Sequence, residues 1–242
     1  MPCFENDPVG RAIHDYILNQ HDENIIVKSS LCEDDVIPVS YLFRGQQGNR
    51  EAFTILERIA LDHCKGKILE IGAGAGIHAT YLSKKGFDIQ IIETSKGAVE
   101  YHRKLGLHSR CLNFYDLKSE KFNTLLFLMN GLGIAKSLVN LPVFLEHCYN
   151  LLETNGEIIC DSTDIKYLYE DDEGGFWMDL NAAYYGDFDF QMCYKDTCGS
   201  NFQWLYVDFD TLNRVAKTIG FSVDLLFEHE NQYLARLKKL DK

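Results

Sequence analysis

The chain has 242 residues, 46% hydrophobic and 25% charged, a globular composition that excludes collagenous, coiled-coil and wholly disordered structures. Its 24 basic and 36 acidic residues give a net charge of −12 at pH 7. This charge repels phosphate backbones and anionic lipids, so neither nucleic acids nor membrane surfaces are expected as partners.

The N-terminus and the cysteines both predict a cytoplasmic protein. Residues 1–8 contain no basic start and no apolar run, so no signal peptide is expected, and no segment is long and apolar enough to span a membrane. The eight cysteines are scattered and form no Cys-x-x-Cys motif, so we expect reduced thiols and no metal site. The closest pair, Cys193 and Cys198, flanks a predicted turn.

Residues 1–64 are predicted to form a helical N-terminal extension. Apolar residues recur at helical spacing over 9–17 and again over 52–60. Between these segments runs a polar stretch that ends in Tyr41-Leu42-Phe43-Arg44.

Strands and helices alternate from residue 66 onwards. The predicted strands are 67–71, 88–92, 110–112, 124–129, 157–161, 222–227 and 232–237, and the predicted helices are 77–85, 95–106, 141–152 and 210–220, the last capped by Asp210. Such repeats predict a parallel sheet covered by helices on both faces. The last two strands are joined so closely that they must pair antiparallel. We therefore predict an α/β domain over 65–242, with a doubly wound, mostly parallel seven-stranded sheet whose last strand is antiparallel.

A glycine-rich loop lies between the first strand and the first helix of this domain. It runs from Glu70 to His78 with glycines at 72, 74 and 76, and Glu93 ends the next strand. Glycines let a ligand lie against bare backbone at a helix N-terminus, and a carboxylate at the end of the next strand can accept from both ribose hydroxyls. The pattern predicts an adenosine-type ligand.

Two details favour S-adenosylmethionine over a nicotinamide dinucleotide. The third glycine of the dinucleotide fingerprint is replaced by Ile77. In addition, the Glu70 carboxylate would repel a pyrophosphate, whereas it would attract a ligand that carries an ammonium and a sulfonium.

Four segments resemble motifs of the class I S-adenosylmethionine-dependent methyltransferases. Residues 67–76 resemble the first motif, 91–95 the second, 121–126 the entry to the fourth strand, and 151–157 the approach to the fifth. The resemblance covers residues 66–161 and implies a Rossmann-like fold with S-adenosylmethionine as the cofactor.

The resemblance also implies a set of cofactor-binding residues. They are Arg44, Glu70, Gly72, Ala73, Gly74, Ile77, His78, Glu93, Thr94, Asn113, Phe114, Asn130 and Gly131. Glu70, Gly72 and Gly74 would line the methionine end, Glu93 would hold the ribose, and Thr94 would lie beside the adenine.

Alternatives stay open at several of these positions. Either Asn113 or Asp116 would contact the adenine edge. Arg44 would bind the cofactor carboxylate or lie on the surface of a linker. Asn130 and Gly131 stand where the methyl-transfer pocket opens but lack an Asn-Pro-Pro-Tyr signature, so nothing favours an adenine or glutamine amide as acceptor.

Residues 162–206 are predicted to form an inserted aromatic cap. They hold 12 of the 30 aromatic residues, and alternating aromatics over 188–194 and 202–206 predict a β-hairpin with one aromatic face. The segment carries nine acidic and two basic residues. Aromatic faces with carboxylates suit an amine or other cationic acceptor. The alternative is an aromatic face that only packs on the sheet.

The predicted function is S-adenosylmethionine-dependent methyl transfer to a small-molecule acceptor, with the oligomeric state left open. Alternatives are a non-catalytic S-adenosylmethionine-binding protein, a nicotinamide-dependent oxidoreductase, and methylation of a protein. No catalytic residue is predicted, because methyl transfer from a sulfonium needs little beyond alignment and desolvation. His78, Asp161, Tyr184 and Tyr185 are candidate bases by location only.

Overall fold

The computed structural model describes residues 4–19, 22–29, 31–170, 175 and 183–240. The helices are α1 Pro8–Asn19, α2 Ile55–His63, α3 Ile77–Lys84, α4 Lys96–Lys104, α5 Leu141–Leu151 and α6 Phe209–Ile219. The strands are β1 Asn24–Ser29, β2 Asp35–Pro38, β3 Lys67–Ile71, β4 Asp88–Glu93, β5 His108–Cys111, β6 Phe122–Phe127, β7 Leu152–Thr163, β8 Asp187–Tyr194, β9 Thr197–Cys198, β10 Phe202–Leu205, β11 Phe221–His229 and β12 Gln232–Lys239. No helix in these ranges combines the length and the apolar character needed to cross a membrane.

A seven-stranded sheet of order β11-β12-β7-β6-β3-β4-β5 forms the centre of the fold. The pairs from β7 to β5 are parallel, and β12 is antiparallel to both β7 and β11. The predicted sheet and its antiparallel last strand are confirmed.

Strand β6 shows why helices cover both faces of this sheet. On one face, Leu125 and Phe127 belong to the apolar cluster that contains Phe144 of α5. On the other face, Leu126 belongs to the cluster that contains Leu82 of α3. A strand that is apolar on both faces is stable only when both are covered, which is the arrangement of a parallel sheet.

One predicted helix start is wrong. The cap of α6 is Asp208, whose side chain accepts from the backbone N–H of Thr211 at 2.8 Å, while Asp210 lies in the first turn. The earlier start brings Phe209 into the helix, where its ring packs at 5.5 Å from that of Tyr233. Asp208 and Asp210 could each cap the helix N-terminus, and the contact between the Phe209 and Tyr233 rings favours the start at Asp208.

The N-terminal extension is helical only in part: its two predicted helices are confirmed as α1 and α2, but strands lie between them. Strands β1 and β2 lie between α1 and α2, and β1 pairs antiparallel with β2 on one side and with β8 on the other. Because β8 also pairs with β9 and β10, the extension and the cap share one five-stranded sheet of order β10-β8-β1-β2, with β9 beside β8. Local periodicity did not predict β1, since its partner β8 is distant in sequence.

The aromatic hairpin of the cap is confirmed. Phe190 pairs with Phe202 and Phe188 with Trp204 across β8 and β10. Phe188 and Phe190 are buried in a cluster with Val27 of β1. The predicted cap also includes residues 171–174 and 176–182, with Trp177, which lie outside the described residues.

The expectation of reduced thiols is wrong for one pair of cysteines. Cys193 and Cys198 form a disulfide, because the turn between β8 and β9 places them directly opposite each other, with their Cα atoms 4.1 Å apart. Cys64, Cys148 and Cys160 are buried free thiols, in agreement with the expectation.

Candidate functional site

Several predicted site residues follow the carboxyl ends of the parallel strands. The glycine loop follows β3, Thr94 follows β4, and Asn130 lies just beyond β6. The backbone N–H of Gly72 donates to the carbonyl of Ile92 on β4, so the loop stays beside its neighbouring strand. Adjacent parallel strands end at the same edge of the sheet, where α/β folds bind their ligands.

The glycine loop is open at two of its three glycines. Gly72 and Gly74 have φ angles of 74° and 55°. Among the residues that the structure describes, a Cβ built at Gly72 would meet only Ile134, at 3.8 Å, and one built at Gly74 would meet only Leu42, at 3.9 Å. The backbone between these apolar side chains forms a cradle that a larger residue would fill. Leu42 belongs to the segment Tyr41–Arg44 singled out from the sequence, whereas Ile134 was not predicted, because it belongs to no recognisable motif.

His102 supports the same loop from the protein interior. Its Nε2–H donates to the carbonyl of Gly74 at 2.9 Å, and its Nδ1 accepts from the hydroxyl of Ser109 at 3.0 Å. Burial lowers the pKa of His102, which favours the neutral ring that this pattern requires. A Cβ at Gly76 would lie 2.9 Å from the ring, so this glycine is needed for packing. The sequence signal for His102 was a histidine on the buried face of a helix.

Glu93 joins the glycine loop to the start of α4. Its Oε2 accepts from the backbone N–H of Gly74 at 3.1 Å, and its Oε1 accepts from those of Thr94 at 2.7 Å and Ser95 at 3.1 Å. Ser95 caps α4, because its hydroxyl accepts from the backbone N–H of Ala98 at 3.1 Å. The carboxylate is thus oriented by three N–H groups at the end of β4.

Glu70 and His78 belong to a buried chain of ion pairs. His78 Nδ1 lies 3.2 Å from Glu70 Oε1, and its Nε2 lies 2.8 Å from Glu57 Oε1. Glu57 also pairs with Arg44, whose guanidinium lies 3.7 Å from the centre of the Tyr41 ring. Arg44 is therefore not a free surface residue, and Glu57 is a site residue that the sequence did not reveal. Both ring nitrogens of His78 are engaged with carboxylates.

The two carboxylates determine the charge of His78. Burial disfavours the charged ring, but the hydrogen bonds and charges of Glu57 and Glu70 outweigh it and raise the pKa of His78 to about 9. Burial likewise opposes ionisation of Glu57, yet His78 and Arg44 lower the pKa of Glu57 to about 2. His78 is protonated at neutral pH and cannot serve as a general base there.

The candidate bases Tyr184 and Tyr185 are hydrogen-bond donors. The Tyr184 hydroxyl donates to Asp208 at 2.5 Å, and the Tyr185 hydroxyl donates to Asp164 at 2.8 Å. Burial, the largest cause, raises the pKa of both hydroxyls above the ordinary value. Neither tyrosine can act as a base at neutral pH; they connect the cap to the start of α6.

Asp161 lies near the end of β7, and it is a buried acid whose pKa is raised rather than lowered. It is 1% exposed, and burial raises its pKa to about 7. The carboxylate accepts from the backbone N–H of Asn130 and from the Gln232 amide, both at 3.1 Å. The Asn130 side chain accepts from the Thr163 hydroxyl at 2.8 Å. These bonds hold Asn130 in its left-handed conformation, with φ 58°.

We expect Asp161→Asn to flatten the pH dependence of stability. Because the folded-state pKa of about 7 lies above the ordinary value of 3.8, this group stabilises the fold fully below pH 3.8 and loses that contribution as the pH rises through 7. Between pH 5 and pH 8 the loss is on the order of 2 kcal/mol. Urea unfolding at both pH values should show this fall in the wild type and a smaller one in the variant. Equal falls would contradict the account.

Three predicted cofactor residues have buried side chains. Ala73 and Ile77 pack in the cluster beneath α2 and α3. The Phe114 ring packs edge-on against that of Phe127, with ring centres 5.4 Å apart. At these positions only the backbone can contact a ligand in this conformation.

The remaining predicted residues lie at the carboxyl edge. Thr94, Asn113 and Asp116 are exposed. Asn113 Oδ1 accepts from the N–H of Tyr115 at 3.0 Å, which starts the short turn after β5. Gly131, which starts the turn after β6, is buried. The contact of Asn113 or Asp116 with adenine stays a prediction.

Comparison with solved structures gives a match over nearly the whole chain. The S-adenosylmethionine-dependent methyltransferase from Bacteroides fragilis, in complex with S-adenosyl-L-homocysteine, is 40% identical with a TM-score of 0.89, and the match covers 99% of this chain and 98% of that one. No protein-family model matches the chain. No curated protein matches it either.

Two more distant structures share the fold. The CcbJ methyltransferase from Streptomyces caelestis is 13% identical, with a TM-score of 0.58 over 77% of this chain and 89% of that one. The sugar N-methyltransferase KedS8 from a Streptoalloteichus species is 11% identical, with a TM-score of 0.54 over 83% and 92%. These two structures show the shared fold, and the 40% identical structure identifies the family. The chain belongs to the class I S-adenosylmethionine-dependent methyltransferases, and S-adenosylmethionine is its cofactor.

Proposed function

We propose that this enzyme methylates a small-molecule amine or other cation, held between the carboxyl edge of the seven-stranded sheet and the aromatic face of the cap. S-adenosylmethionine supplies an electrophilic methyl group on a sulfonium. The chain's own residues orient the two reactants and exclude water from between them, which are the main requirements of a displacement at a methyl group.

The proposed cofactor contacts rest on three features of the carboxyl edge. The cradle at Gly72 and Gly74 has room for a ligand against bare backbone. The Glu93 carboxylate is oriented at the end of β4, where it would accept from the ribose hydroxyls. Glu70 Oε2 is buried and has no hydrogen-bond partner within the described part of the chain, which suits an ammonium group.

The contact between Trp204 and Gly133 carries the proposed acceptor site. A Cβ built on Gly133 would overlap the Trp204 indole, so the cap touches the turn Gly131–Ala135 that follows β6. Phe188 and Phe190 adjoin Trp204 in one aromatic cluster with Phe202. Phe202 and Trp204, the half-buried rings of this cluster, would form an aromatic wall beside the methyl group, and ring faces attract cations.

The acidic residues of the cap contribute less to this proposal than their number suggests. Asp164 bonds the Tyr185 hydroxyl, Asp187 accepts from a backbone N–H, and Asp196 pairs with Arg11 of α1. These carboxylates already have partners. The proposed cationic acceptor therefore rests mainly on the aromatic faces and on the overall charge of −12.

A matched pair of acceptors tests the proposal. We expect phenethylamine to yield S-adenosylhomocysteine, detected by mass spectrometry, with at least a tenfold higher kcat/KM than phenylacetate, which has the same ring and the opposite charge. Transfer only to anionic acceptors would contradict the cationic class. Tight cofactor binding without turnover on any acceptor would favour a non-catalytic binding protein.

Two variants locate the acceptor site. Trp204→Ala should raise the KM of the acceptor at least tenfold and leave the Kd of S-adenosylmethionine unchanged. Phe227→Ala on β11 is the matched control, because it also removes an aromatic ring but lies outside the cap. An unchanged acceptor KM in Trp204→Ala would place the acceptor elsewhere.

A further inference from the structure

Four charged side chains connect the N-terminal extension to the glycine loop through the protein interior. Arg44 follows the turn Val39–Phe43, Glu57 is on α2, His78 is on α3 and Glu70 is on β3. Glu57 accepts from Arg44 and from His78, and Glu70 accepts from the second ring nitrogen of His78. Each group comes from a different element, so the chain of ion pairs joins four elements at one point.

The charges alternate in sign along this chain and are withdrawn from solvent. The Arg44 side chain is 13% exposed, and those of the other three are at most 4% exposed. An unpaired ion at such depth is strongly destabilising, so each group depends on its neighbours. Without the His78 cation, Arg44 would neutralise only Glu57, and the buried Glu70 carboxylate would have no ion-pair partner among the described residues.

The residues at the two ends of this chain of ion pairs, Arg44 and Glu70, each have a buried atom without a hydrogen-bond partner among the described residues, whereas Glu57 and His78 in its middle are fully engaged. Glu70 Oε2 and Arg44 Nε are buried and have no partner among the described residues. One is an acceptor and the other a donor. Both nitrogens of His78 are engaged, and Glu57 Oε2 accepts from the N–H of Thr54 at 2.8 Å. The unpartnered atoms complement the ammonium and the carboxylate of a methionine group.

We propose that Glu57 and His78 are positioning residues that hold Glu70 and Arg44 where they bind the methionine half of the cofactor. The inference rests on the proposed placement of the cofactor at the glycine loop. Neither Glu57 nor His78 touches the cofactor in this scheme. The competing explanation is structural, since Glu57 also completes the capping box at the start of α2 with Thr54.

The test compares two ligands that differ only in the methionine half. S-adenosylhomocysteine carries the ammonium and the carboxylate, whereas 5′-methylthioadenosine retains the adenosine and the sulfur but lacks both charges. By calorimetry, His78→Gln should weaken S-adenosylhomocysteine binding at least tenfold and change 5′-methylthioadenosine binding less than twofold. Glu57→Gln, which breaks the chain of ion pairs at its α2 member, should likewise weaken S-adenosylhomocysteine binding much more than 5′-methylthioadenosine binding.

Thr54→Ala is the control for a structural role, because it removes the helix cap and leaves the four charged groups in place. It should affect both ligands alike or not at all. Folded protein is verified by circular dichroism for each variant, and the two ion-pair variants substitute for each other if one does not fold. Equal losses for both ligands in a folded ion-pair variant, or no loss, would overturn the inference. If Gly74→Val leaves the binding of both ligands unchanged, the proposed cofactor placement itself is wrong.

Discussion

Gly74→Val should abolish S-adenosylmethionine binding while the protein stays folded. The backbone of Gly74 has a φ of 55°, where a β-branched residue is strained, at a cost of about 1–3 kcal/mol. The new side chain would point towards Leu42 into the cradle, where the nearest atom lies 3.9 Å from the Cβ position. The protein has room for it, but a ligand lying against the same backbone does not. We expect at least a 100-fold loss of affinity by calorimetry.

Gly86→Val is the matched control for this variant. Gly86 also has a positive φ, 87°, and a Cβ there would meet no atom of the described residues within 4 Å. Both variants therefore carry backbone strain, and only Gly74→Val obstructs the proposed cradle. Urea unfolding should show comparable losses of stability, with cofactor binding lost only in Gly74→Val. Unchanged affinity in Gly74→Val would move the cofactor site away from the glycine loop.

Glu93→Ala should weaken binding of the adenosine half by at least 100-fold. Hydrogen bonds to a charged group contribute about 1.5–3 kcal/mol each, and the proposed ribose contact would lose two of them. The substitution also removes the acceptor for the N–H groups of Gly74, Thr94 and Ser95, so the loop would lose its link to α4. Glu93→Gln retains one acceptor oxygen, and we expect a loss nearer tenfold.

The ligand pair used for the buried ion pairs separates the two ends of the site. Glu93→Ala should weaken 5′-methylthioadenosine and S-adenosylhomocysteine equally, since both contain the ribose. Glu100→Ala removes an exposed acid of α4 and serves as the control. Binding of both ligands to Glu93→Ala within twofold of the wild type would exclude Glu93 from the ribose site.

The features predicted correctly from the sequence are those encoded over short stretches of chain. The segment from β3 through the glycine loop to Glu93 combines an apolar strand, glycines and a terminal acid within about one structural unit, so its geometry follows from local rules. The antiparallel pairing of β11 and β12 follows in the same way from their short connection. The alternating aromatics of β8 and β10 likewise predicted their hairpin.

The features that were missed depend on contacts between distant residues. β1 is a strand because β8 supplies its hydrogen-bond partners, and no local signal identifies that pairing. Glu57 was not predicted, because its carboxylate pairs with Arg44 and His78 only once α2 packs against α3. His102 was not predicted either, because its contact with Gly74 forms only when α4 packs against the glycine loop.

The structure of this protein bound to S-adenosylhomocysteine would test the central claim most directly. We predict that the ribose hydroxyls lie within hydrogen-bond distance of Glu93, that the ammonium lies beside Glu70 Oε2, and that the backbone of Gly72 and Gly74 contacts the ligand. The sulfur should face the side of the site closed by Trp204. A ligand bound away from the glycine loop, or with its ribose remote from Glu93, would contradict the account.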